Sequence, residues 1–162
     1  MKIFKYALLA IPFLYFSCSD DDDNTPEPIN EEEVITTMTV TLTDAMGNVV
    51  TMQTQDLDGD GPNEPVVTGG TLSAGTTYTG SIVWLNEMED PAEDITLEIV
   101  EEADEHQVFF SAMDLALDIV VVDLDSNGFP VGTQFTLTTT NAGTGTVLSL
   151  IHISEPTRPR LI

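Results

Sequence analysis

The chain has 162 residues, with 28 Asp and Glu against 4 Lys and Arg, and a formal net charge of −24. That balance disfavours nucleic acid and anionic lipid headgroups as partners, because binding to phosphates is driven by cations that displace their counterions. The length suits a single folded domain with flanking segments.

Lys2 and Lys5 form a positive start, and Tyr6 to Phe16 an apolar run too short to cross a bilayer stably. Ser17 then precedes Cys18, the only cysteine, and Ser19 and Asp20 to Asp23 follow at once. This order resembles a bacterial lipoprotein signal over residues 1–17, with cleavage before Cys18 and lipid added to its thiol and new amino terminus. Tyr15 and Phe16 stand where such signals usually carry Leu and a small residue. A lone cysteine at the end of the apolar run still fits lipidation better than an ordinary secretory signal or a short anchor. The acids after Cys18 resemble the export signal of Bacteroidota surface lipoproteins, which implies the outer face of the outer membrane. Two or more acyl chains would hold the protein there, since each buried CH2 contributes about 0.8 kcal/mol.

Residues 18–33 hold acids, Pro26, Pro28 and Asn30 with little to bury, and are expected to be a disordered tether. Residues 34–147 are expected to form one domain. Met38, Val40 and Leu42 interleave with Thr37, Thr39, Thr41 and Thr43, the period of a half-buried strand. A turn at Asp44–Asn48 leads to a returning strand, Val49 to Gln55, and a Gly/Pro/Asp loop over 56–65 precedes Val66 to Thr68. Tyr78, Gly80, Ile82 and Trp84 mark another strand, with Trp84 as a core anchor.

Asp90-Pro91-Ala92-Glu93 carries the marks of a helix start: a capping Asp, Pro at the first turn and Glu three residues after the cap. Ile95, Ile99 and Ala103 recur every four residues beyond it, with Glu98, Glu101, Glu102 and Glu105 outward, which predicts one short helix. Strands are expected at Gln107–Ser111, Leu115–Asp123, Gln134–Thr139 and from about Thr144. Seven or eight strands with one helical crossover predict a mainly β fold, an immunoglobulin-like antiparallel β-sandwich.

The stretch LSLIHISEPTR, Leu148 to Arg158, resembles a translated sequencing adapter and breaks the preceding Thr/Val alternation. Leu148 to Ile162 is accordingly expected to be a non-native tail, with native strands lost after Val147. Between Cys18 and Val147 there is no Lys or Arg, and every acidic residue except Glu155 lies there, 27 in number. No Lys/Arg–carboxylate pair can form within that span, so cations are expected partners and salt is expected to stabilise the fold.

Two segments share the D-x-D-x-[DN]-G order of calcium loops: Asp56, Asp58 and Asp60 with Glu64 nearby, and Asp123, Asp125 and Asn127. Alternate oxygens on a tight loop can converge on a hard cation such as Ca2+, though hairpin turns favour the same residues. The bidentate Glu of an EF-hand is missing, since Val67 and Gln134 hold its position. His106, amid Glu102, Asp104 and Glu105, could ligate zinc or act as a base, but no second nitrogen or sulfur ligand accompanies it. A polar helix end is the simpler reading of His106. No G-x-S-x-G elbow occurs, and the expectation is that the protein is not an enzyme.

Over most of its length the chain resembles a family of small uncharacterised Bacteroidota lipoproteins. The resemblance lies in residues 1–23, QDLDGDGPNEP (55–65), EDITLEIVEEADEHQVFF (93–110) and DLDSNGFPVG (123–132). Some of that family are labelled as a type 1 periplasmic-binding fold, whose two α/β lobes exceed a strand-rich domain of this size. The resemblance implies an envelope location and no established activity. The expected function is therefore structural or binding, with a protein or glycan partner unspecified. The alternative is a calcium-dependent adhesion or carbohydrate-binding module built on Asp56–Glu64, with Tyr78 as an exposed aromatic beside it.

Overall fold

The computed structural model describes residues 33–59 and 61–153. Cys18 and the signal, most of the tether, Asp60 and residues 154–162 lie outside them. The described residues form nine strands and one helix, mainly antiparallel β in a sandwich-like arrangement. Strands β1 (Thr37–Asp44), β2 (Val49–Gln55), β3 (Val66–Thr68), β4 (Thr77–Asn86) and β5 (Glu93–Asp94) precede helix α1 (Ile95–Glu101). Strands β6 (His106–Met113), β7 (Leu117–Val121), β8 (Gln134–Thr139) and β9 (Thr146–Ile153) follow it.

The large sheet runs β3-β2-β1-β4-β8-β7, with β5 also paired to β4, and the small one is β6-β9. The division is seven strands to two, whereas an immunoglobulin constant domain divides four to three. Period-two alternation puts Tyr78, Gly80, Ile82 and Trp84 on the buried face of β4, and Phe135 and Leu137 on that of β8. Leu42 faces Gly80, and Gly80 faces Phe135. The Phe135 ring lies across Gly80 and meets Phe110 of the small sheet at a centroid distance of 4.9 Å. Here the two layers touch. They are also joined at Val108, whose N–H donates to the Val131 carbonyl at 2.7 Å.

β8 pairs with β4 only from Thr77 to Ser81; beyond it β5 pairs with Leu85 and Asn86, and helix α1 packs against the strand. The Thr96 hydroxyl accepts from the Trp84 N–H at 2.9 Å and donates to the Trp84 carbonyl at 3.2 Å. It thus replaces a strand partner for backbone that would otherwise be stranded in the core. Ile95 and Ile99 join Trp84 there.

Two expectations need correction. The helix begins at Ile95, not after Asp90: Glu93 and Asp94 remain extended against Asn86 and Leu85, and Asp94 caps the helix by accepting the Thr96 N–H. Ala103 lies beyond its end. Glu33 is not part of the tether, because its carboxylate reaches the buried His106. Strand β9 runs on past Val147. Residues 148–153 continue β9, with Leu148 opposite Ser111 and Ile153 opposite His106, and Ile151 packs against the core.

Candidate functional site

Seven strands cannot be covered by two. Between the inner face of the large sheet and β6-β9 lies a half-open cleft of about 650 Å3. Its floor is Met38, Val40, Met52, Ile119 and Leu137, and Phe110 and Phe135 close one end. The segments 67–74 and 141–147 form its rim, with Thr68, Thr71, Asn141 and Thr144 supplying hydroxyls and an amide. None of the lining residues is charged, in a chain with 28 acids. The cleft therefore favours an uncharged, largely apolar occupant, since a buried charge would find no partner. Its volume falls in the usual range for small-molecule sites, about 300–1,000 Å3. Sequence patterning identifies the floor residues as apolar-in, but only the unequal sheets leave them uncovered.

The acidic loops are built differently from each other. Asp58 accepts from the Asn63 side chain at 2.5 Å and its N–H at 3.4 Å, folding the first loop on itself. Loss of hydration opposes ionisation of Asp58, but hydrogen bonds from Asn63 outweigh it and hold the carboxyl below its ordinary value. Asp56 is half-buried and Glu64 exposed. In the second loop Asp123 is fully engaged, accepting from Gly132 N–H, Thr133 N–H and the Thr133 hydroxyl at 3.0, 2.9 and 2.6 Å. Asp125 accepts from Asn127 and Phe129 N–H through Oδ1, and its Oδ2 is buried without a partner. The Asn127 N–H closes an Asx turn. These carboxylates hold a hairpin together.

His106 is the buried first residue of β6 and not itself a polar helix end, although the helix end does orient it. Its Nδ1 lies 3.1 Å from the Glu102 carbonyl and its Nε2 3.2 Å from Glu33 Oε1. Sequence reasoning missed Glu33, one acid among many before β1. Tyr78 is buried, and its hydroxyl accepts from the Ser73 N–H at 2.9 Å, so it offers no exposed ring to a glycan.

The chain matches no family model, no curated protein and no solved structure among those compared.

Proposed function

We propose that this is a lipid-anchored protein of the bacterial cell envelope, held through Cys18 at the outer membrane and displayed at the cell surface. Its role is binding: the inter-sheet cleft takes an uncharged apolar ligand. The address rests on the order of Lys2, Lys5, the apolar run, Cys18 and the acids after it. The binding role rests on one observation, an uncharged apolar cleft of about 650 Å3 in an otherwise acidic protein. No catalytic step is part of the reading.

The neutral fluorophore N-phenyl-1-naphthylamine tests it. The wild-type chain should enhance its emission saturably. Met52→Glu, which puts a charge on the cleft floor, and Ala142→Trp, which fills the rim, should each weaken binding at least about tenfold with the circular-dichroism spectrum unchanged. No enhancement, or equal enhancement by folded variants, overturns the binding role. Mass spectrometry of the mature product should show a lipid-modified Cys18 at the amino terminus; an unmodified thiol on a secreted product overturns the address.

A second reading, Ca2+ at the loop of Asp56, Asp58, Asp60 and Glu64, is supported by the D-x-D-x-D-G order of the loop and by the Asn63 hydrogen bonds that hold the Asp58 carboxyl below its ordinary value. Heat on calorimetric titration with calcium, lost in Asp58→Ala, is its expected outcome; no heat ends it.

A further inference from the structure

The His106 side chain is fully buried, at 0 % exposure, and that of Glu33 beside it is only 9 % exposed. A carbonyl oxygen can only accept, so the contact of Nδ1 with the Glu102 carbonyl places a hydrogen on Nδ1. In the neutral ring the Nε2 lone pair then points at Glu33 Oε1, another acceptor, 3.2 Å away. Two acceptors do not face each other at that distance without a cation between them. Either a proton or a metal ion supplies it.

The arrangement is also the usual one for a metal-bound histidine, in which one nitrogen ligates and the other donates to a backbone carbonyl that fixes the ring. Zinc ligands of this type lie about 2.0–2.1 Å from the ion; two of them 3.2 Å apart subtend about 100° there, close to a tetrahedral angle. The Glu102 carboxylate is the third donor, with one oxygen and the Glu33 and His106 ligand atoms all within 4.8 Å of one another. Ligands on a single zinc ion are at most about 4.2 Å apart, so Glu102 must swing inward slightly. Its exposed side chain is free to change rotamer.

We propose that Glu33, Glu102 and His106 form a site for a divalent transition-metal ion of the zinc type, with solvent at the fourth position. The ion joins three separate pieces of chain: the residue entering β1, the end of α1 and the start of β6. It acts as a clip between these three pieces. The cleft and this site share no residue, so either can fail without the other.

The test uses the full chain with Cys18→Ser, to remove the one competing thiol, titrated with Co2+ in excess Mg2+ to saturate unspecific carboxylate binding. One equivalent of Co2+ should give the visible absorption of a four-coordinate ion, and Zn2+ should displace it. Glu33→Gln and Glu102→Gln should each weaken Co2+ binding at least about tenfold, the order expected for loss of a group from a metal site. Glu105→Gln should leave it unchanged. Zn2+ should raise the melting temperature of wild type and of Glu105→Gln but not of Glu33→Gln. His106→Gln should abolish the spectrum; should that variant unfold, the two Glu variants decide the matter. Absence of the visible band in wild type, or its persistence at full affinity in Glu33→Gln and Glu102→Gln, overturns the metal site and leaves a proton shared by His106 and Glu33.

Discussion

Gly80 shows how one residue sets the contact between layers. It lies between Leu42 and Phe135 in adjacent strands, and a Cβ there would meet the Phe135 ring, with Cδ2 at 2.8 Å. The ring cannot retreat freely, because it already packs against Phe110. Gly80→Ala should therefore destabilise the domain by about 1–3 kcal/mol, the usual range for overpacking a filled core. Urea unfolding measures it, and Phe135→Leu in the same chain should recover part of the loss. If Gly80→Ala alone left the midpoint unchanged, the close approach of ring and backbone would be refuted. Single side chains also replace backbone partners elsewhere. Thr96 does so for Trp84, and Asp123 does so for Gly132 and Thr133.

At the scale of elements, helix α1 carries its own conflict. Ile95 and Ile99 bury one face, while the acids of the other have no basic partner in the last turn. Glu98 is the clearest case. Loss of hydration, then the nearby charges of Glu93, Glu33, Glu102 and Glu101, raise its carboxyl above the ordinary value. The folded chain then holds this proton more tightly than the unfolded chain does. Stability contributed by Glu98 is accordingly present at low pH and lost as pH rises through the window above the ordinary Glu value. Glu98→Gln should be more stable than wild type at about pH 7, with a smaller difference at about pH 5, as read from urea midpoints. A variant less stable at neutral pH would contradict the repulsion. Asp44, in the β1–β2 turn, works in the opposite sense. Hydrogen bonds from the Asn48 side chain and backbone, then from Met46, lower its carboxyl, so its contribution disappears as pH falls through the folded value.

For the whole molecule the governing fact is charge without compensation. Between residues 18 and 147 no Lys or Arg balances the acids, so no Lys–carboxylate or Arg–carboxylate pair can form there. Screening must reduce this repulsion, and the Debye length shrinks from about 8 Å at physiological ionic strength to about 3 Å at 1 M salt. The urea midpoint should rise steadily with NaCl over that range. A flat response would mean that the core tolerates the repulsion unaided. The same charge explains why the cleft is conspicuous: acids crowd the solvated surface and leave the space between the sheets uncharged.

Period-two alternation of apolar residues marked several of the strands by itself. β2, β3 and β8 have the bounds expected from the sequence, because period two is a local property of backbone geometry. The helix start was misread because Asp90-Pro91 and Asp94 both satisfy capping chemistry, and pairing with β4 chooses between them. Tertiary structure alone decided the rest. Residues 73 positions apart, Glu33 and His106, meet only when the chain is folded, and no sequence spacing marks such a pair. The cleft arises because seven strands joined one sheet and two the other; long-range pairing settles that division, whereas alternation only says which side chains face inward.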